Sequence, residues 1–278
     1  MKKNLLILSL AGMASVLSAE SRSFDGYSYG GVGFENTTYQ ESGYSSKIGA
    51  IKSKASGTSP VYTTGSLVRV NDRYDFSLDF SSTLLPSKIS EEWTGPSGTL
   101  QRNDYDLLAN SATLLVHYKL TPQHRIVAGP QYALNTFKRY NWVAVDPIID
   151  TPVGVIEERS ASVSGAIGYW YESKTAGIEG WRFKGNTLVS LPLWQQTTNT
   201  SSTEDLVFNN TGGYNGDLSA YAGYTVIKGL EIGMMVGFNY QKRNGGHQTD
   251  SLGNNVTWPE NTLTTYRAGV NAVWNFRD

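Results

Sequence analysis

Apolar and polar residues alternate along most of this chain with a period of two. Between 230 and 241, Leu230, Ile232, Met234, Val236, Phe238 and Tyr240 share one face, and Glu231, Gly233, Met235, Gly237, Asn239 and Gln241 share the other. A strand turns successive side chains to opposite faces, so this is the pattern of a strand and not of a helix. The same alternation runs through 74–81, 111–120, 125–135, 160–172, 217–226 and 262–276. It is weaker in 61–70 and in 181–194, which Pro192 interrupts. A Gly-rich first segment, 27–35, sets Val32 and Phe34 on one face and Glu35 on the other. The links between these segments alternate as well. Those at 70–74, 120–125 and 226–230 are tight, and 172–181 is moderately longer, whereas 39–60, 84–104, 138–160, 195–217 and 241–262 are long and polar. About ten strands joined in this way predict an all-β fold: an up-and-down antiparallel transmembrane β-barrel with short periplasmic turns and long extracellular loops. One face of each strand then meets lipid, and the other lines a lumen.

Composition agrees with this picture. The chain has 17 Tyr, 7 Trp, 9 Phe and 29 Gly in 278 residues, and after the first twenty residues no apolar run is long enough for a membrane helix. A barrel strand needs only about ten alternating residues to cross. The formal net charge of -1 gives no electrostatic case for nucleic acid. The chain opens on Met1-Lys2-Lys3, an uncharged apolar stretch from Leu5 to Leu17, and small residues at Ser18-Ala19. That is the pattern of a secretory signal peptide at 1–19, which leaves 20–278 as a single barrel domain. With no cysteine, neither a lipid-anchored lipoprotein nor a disulfide-stabilised fold is available.

The final strand carries a second signal. Tyr266, Ala268, Val270, Ala272, Trp274 and Phe276 lie on one face, opposite Arg267, Gly269, Asn271, Val273 and Asn275. A strand of this kind near the end of the chain resembles the terminal signal of Gram-negative outer-membrane β-barrel proteins, with Tyr266, Val270, Trp274 and Phe276 as its candidates. In that class the aromatic is usually the last residue, whereas here Arg277 and Asp278 follow. The resemblance implies a bacterial outer-membrane location, contact with membrane lipid and lipopolysaccharide, recognition by the barrel-assembly machinery during biogenesis, and a monomer.

The expected inward face carries charge of both signs: Glu35, Arg69, Asp75, Asp79, Lys119, Arg125, Glu172, Arg182, Lys184, Glu231 and Arg267. In a lumen of about ten strands these charges must pair, because an unpaired charge there is partly desolvated. They form either a structural polar plug or the lining of a narrow path for ions or small solutes. Arg267 has two candidate partners, Glu35 and Glu231, and Glu35 is the better placed. Ten strands is also the number in the omptin outer-membrane proteases, which carry an aspartate pair and an Asp-His pair at the outer rim. Asp104 and Asp106 imitate the first pair, but His117, His124 and His247 supply no Asp-x-His arrangement even with Asp250 near the last. There is no G-x-S-x-G elbow and no metal-ligand spacing, so neither catalytic residues nor cofactors are assigned. Trp93, Trp142, Phe208, Tyr214 and Trp258 fall in the long links, as do the acidic Glu91, Glu92, Asp146, Asp150, Glu157 and Glu158 and the basic Lys47, Lys52 and Lys54. The leading functional expectation is a porin-like barrel that is not an enzyme. The alternative is a structural or surface-interaction barrel of adhesin or receptor type acting through its loops, and an omptin-like hydrolase ranks last.

Overall fold

In the computed structural model, residues 25–45, 47–200, 205–249, 253 and 255–276 are described. The signal peptide expected at 1–19, Asp250, Arg277 and Asp278 lie outside the described residues.

Among the described residues fourteen strands are formed: β1 (Gly26–Ser45), β2 (Gly49–Arg69), β3 (Tyr74–Thr83), β4 (Ile89–Gly95), β5 (Gly98–Lys119), β6 (His124–Ala144), β7 (Ile156–Glu172), β8 (Trp181–Thr200), β9 (Asp205–Asn209), β10 (Gly213–Ile227), β11 (Leu230–Arg243), β12 (Gly246–Thr249), β13 (Asn255–Trp258) and β14 (Glu260–Asn275). Ten of them close a ring of antiparallel pairs in the order β1, β2, β3, β5, β6, β7, β8, β10, β11, β14, with β14 pairing back onto β1. The other four are short additions at the end with the long links. β4 bridges β2 and β5 beyond the end of β3, β9 folds back on β8, and β12 with β13 makes a separate hairpin. Closure leaves no open sheet edge within the ring.

The outward face of the ring is a band of exposed apolar residues. Val32 is 60% exposed, Phe34 65% and Met234 68%, with Ile167, Leu191 and Val236 also exposed. Such a continuous band is stable only against a non-aqueous phase, which identifies the ring as membrane-spanning. Aromatics edge it. Tyr74 with Tyr118 and Trp181 with Tyr224 pack ring to ring at the turn end, and Phe238 with Tyr266 toward the loop end.

Two sequence expectations are corrected by the structure. The long links are largely sheet and not loop: β1 and β2 continue in register to Ser45 and Gly49, so the expected link 39–60 shrinks to a tight turn. β5, at 22 residues, runs roughly 70 Å at about 3.3 Å per residue, well beyond a membrane band of about 25 Å even when tilted. The reason these segments read as loops is a reversal of pattern. Beyond the band, the outward residues Asn36, Thr38 and Gln40 are polar and the inward Tyr39, Tyr105 and Phe137 are apolar, because water has replaced lipid outside. Pro192 does not end a strand; β8 runs through it, and the pairing with β7 shifts register there. Leu193 and Trp194 consequently both stay exposed, and a bulge absorbs the missing N–H.

Candidate functional site

At the turn end, the lumen is crossed by a chain of ion pairs to which six strands each contribute one residue. Lys119 on β5 meets Asp75 on β3 at 2.7 Å, and Asp75 meets Arg125 on β6 at 3.3 Å. Arg125 meets Glu172 on β7 at 2.7 Å, Glu172 meets Arg182 on β8 at 2.9 Å, and Arg182 meets Glu231 on β11 at 2.9 Å. Period-two alternation delivers all six to the same side of the sheet. The Arg182 guanidinium also lies over the rings of Tyr27 and Tyr221, 4.9 and 5.3 Å away. Tyr221 has room because glycines face it: a Cβ at Gly223 would collide with its hydroxyl and with the Glu231 carboxylate. Tyr27, Leu67, Leu115, Val127 and Trp170 are all buried in the same layer, and Ala176 from the 173–180 turn is tucked against them. A side chain lining a water-wide path would keep solvent exposure; these have none.

Beyond this layer is a chamber of about 170 Å³ lined by Asp79, Lys184, Asp217 and Arg267. Lys184 lies over the Trp170 ring at 4.8 Å and the Tyr29 ring at 5.1 Å, and Tyr29 donates to Asp79 at 2.6 Å. Arg267 pairs with Glu35 at 3.0 Å, directly across the β1–β14 register. A polar girdle continues upward: Asn215 and Ser190 both donate to Gln131 at 2.9 Å, and Asn239 donates to Asp217 at 2.6 Å.

The loop end is closed by a second layer of buried side chains: Tyr39, Ala55, Tyr105, Leu107, Phe137 and Leu263. Arg139 caps it, over the rings of Tyr39, Tyr105 and Trp93 at 5.5–5.6 Å. Three carboxylates converge on this one guanidinium. Glu91 takes its Nε at 2.8 Å and Glu41 its Nη2 at 2.9 Å, while Glu158 stays at 3.9 Å. Burial opposes the Arg139 charge, but Glu41 and Glu91 outweigh it and hold the pKa well above its ordinary value. Glu158 has the opposite fate: burial first, then the neighbouring Glu41 charge, pushes it up to about 7. Above this floor opens a pocket of about 380 Å³ walled by Trp93, Trp142, Phe208 and Trp258, with Glu41, Arg139 and Glu158 at its base.

All eleven charged residues singled out from the sequence lie on the inner side of the ring, ten of them in two groups. Asp75, Lys119, Arg125, Glu172, Arg182 and Glu231 form the turn-end chain, whereas Glu35, Asp79, Lys184 and Arg267 line or border the chamber; Arg69 pairs with Asp25 at 2.7 Å at the rim. Glu231 is taken by Arg182, which removes it as a partner of Arg267. Tyr266, Val270, Trp274 and Phe276 all face outward and are exposed. Glu91 and Glu158, which fall in the long links by sequence, are buried. Asp104 and Asp106 do not form a pair at the rim pocket: they face outward, to Lys88 and Tyr140. Sequence reading missed Glu41, Arg139 and Arg243, because they sit in segments that lack the lipid-facing pattern. The signal was present as alternation of the opposite sense, in Tyr39-x-Glu41 and Phe137-x-Arg139.

No family model matches the chain, and no curated protein matches it. Solved structures do. Outer membrane protease OmpT from Escherichia coli matches with a TM-score of 0.69 at 11% identity, over 92% of this chain and 99% of that one. Outer membrane protein OprG from Pseudomonas aeruginosa is at 11% identity with a TM-score of 0.38, over 92% of this chain and 98% of that one. At 11% identity the likeness to OmpT is one of fold: the chain has the closed up-and-down barrel architecture of Gram-negative outer-membrane proteins.

Proposed function

We propose that this protein is an outer-membrane barrel with a closed lumen that acts at the cell surface through its loop-end pocket. The observation that carries this reading is that the lumen is crossed twice by fully buried side chains. Arg182 with Trp170 and Leu115 crosses it below the chamber, and Tyr39 with Tyr105 and Phe137 crosses it above. The surface-interaction alternative is thereby favoured over a porin-like path. The pocket is concave and largely apolar with a few convergent polar groups, which is the usual character of a ligand site. A hydrolytic role gains no support from it, since the described residues of its lining include no histidine and Glu41 and Arg139 are engaged with each other. The exposed Lys52 and Lys54 on β2 stand above the apolar band, where they would meet anionic headgroups of lipopolysaccharide. The ring needs no second copy to complete its sheet, in keeping with a monomer, and the outward terminal strand is the part the barrel-assembly machinery would recognise.

Conductance in planar bilayers tests this reading. The purified barrel is expected to give no unitary current steps. Arg267→Ala is expected to give none either, because Arg267 lies in the chamber between the two closed layers. Stable unitary steps from the unmodified protein would return the function to a porin-like channel.

A further inference from the structure

The base of the loop-end pocket holds a carboxyl group that the fold leaves without a hydrogen-bonded counter-ion. Glu158 is 2% exposed, yet its Oε1 has no hydrogen-bond partner, and the Trp258 indole N–H beside it makes no regular hydrogen bond to it. Its nearest ion contact is Arg139 at 3.9 Å, too long for a hydrogen bond, because the short contacts of that guanidinium go to Glu41 and Glu91. The other buried cation nearby, Arg243, hydrogen-bonds Ser160 and makes no ion pair within 4.0 Å among the described residues. An under-partnered buried carboxyl is costly in an empty site and suited to one that receives a positive charge.

The walls point the same way. Trp93, Trp142, Phe208 and Trp258 surround the opening, and Phe208 stacks on Trp258 with centroids 6.2 Å apart. The negative faces of aromatic rings attract cations, and a cage of such rings over a carboxylate is a site for a poorly hydrated organic ammonium. Trp93 already serves Arg139 in this manner from the pocket floor, at 5.5 Å. An anion has no comparable partner: among the described residues the lining holds two carboxyls against one guanidinium, whose short contacts go to Glu41 and Glu91.

We propose that the loop-end pocket binds an organic ammonium ion, with its aromatic walls around the cation and Glu158 as the counter-ion. This rests on the reading of the loop end as a ligand site. It adds the ligand's charge and chemical class.

The charged and titratable groups facing Glu158 are Glu41 and Tyr39 on β1, Tyr105 on β5, Arg139 on β6 and Arg243 on β11. Burial and the neighbouring Glu41 charge push the Glu158 carboxyl up to about 7 from its ordinary value of 4.5. A bound cation favours the ionised form, so binding releases a proton near neutral pH. Affinity therefore rises with pH through that range, by about tenfold or more between pH 5.5 and 8. The same elevation means that Glu158 lowers the stability of the empty protein above pH 7 and not below pH 4.5. Glu158→Gln removes that penalty, so the variant is expected to fold.

The test is calorimetric titration of the barrel in a neutral maltoside detergent with benzyltrimethylammonium, benzyl alcohol and benzoate, at pH 5.5 and pH 8. The cation is expected to bind, more tightly at pH 8, and to lose at least tenfold in affinity in Glu158→Gln, whose fold is checked by gel mobility before and after boiling. Binding of the neutral or anionic probe as tightly as the cation, or unchanged cation binding in Glu158→Gln, overturns the ammonium proposal and leaves a pocket of another specificity. If no probe binds, the ammonium proposal fails, whereas the reading of a closed barrel fails only if bilayer conductance also appears.

Discussion

Arg182→Ala is expected to destabilise the folded barrel by about 3–5 kcal/mol, more than any other single truncation in the lumen. Arg182 is buried, pairs with both Glu172 and Glu231 at 2.9 Å, and covers the rings of Tyr27 and Tyr221. Removing it leaves Glu231 with no ion pair within 4.0 Å among the described residues and Glu172 with Arg125 alone, in a buried layer. Arg69→Ala is the control, because its partner Asp25 keeps 37% of its side chain exposed. An ion pair so open to solvent contributes at most about 1 kcal/mol. Denaturant unfolding in liposomes, followed by tryptophan fluorescence, measures both variants. Equal losses from the two would mean that the turn-end chain of ion pairs is not a closed, dry layer.

Val270→Arg is expected to impair insertion almost as severely, at about 2–4 kcal/mol for a cation facing lipid near the middle of the band. Val270 is exposed midway between Tyr266 and Trp274, and its register partners Val32 and Met234 are exposed with it. The inward neighbour Asn271 is a poor comparison. It is buried against Gly31, where even a Cβ would overlap its carboxamide, so an arginine there has no space. Ser111 is the better inward site, since it borders the chamber beside Asp217. Ser111→Arg should insert with a folded fraction close to that of the unmodified protein. If the two arginines depress folding equally, the assignment of lipid-facing and lumen-facing sides on β14 and β5 is wrong.

The part of this fold legible in the sequence is the part in contact with lipid. There the outward residue must be apolar and the inward one is polar, so Leu230, Ile232, Met234 and Val236 stand out against Glu231, Gly233 and Gly237. The ring of ten strands and the eleven inward charges follow from that contrast. Above the band the outer solvent is water, and the contrast inverts. Gln40 and Lys138 face out while Tyr39, Phe137 and Arg139 face in, and a template tuned to lipid reads such a segment as a polar loop. The four added strands and the floor of the pocket were hidden for this reason. Pairing was harder to read than facing. Glu35 with Arg267 could be chosen over Glu231 by depth along the strands, but the convergence of Glu41, Glu91 and Glu158 on Arg139 brings together β1, β4, β7 and β6. No local pattern encodes a contact between residues that distant in the chain.

Cysteine accessibility tests the closed lumen most directly, and the chain has no native cysteine to interfere. Asn199 lines the loop-end pocket and Ser111 borders the chamber beneath the second closed layer. Asn199→Cys and Ser111→Cys would each be treated, in intact cells, with a membrane-impermeant sulfonated maleimide. A barrel closed at both layers predicts rapid labelling at Asn199→Cys and none at Ser111→Cys until the protein is unfolded by boiling. Labelling of Ser111→Cys in the folded barrel at a rate comparable with Asn199→Cys would contradict it.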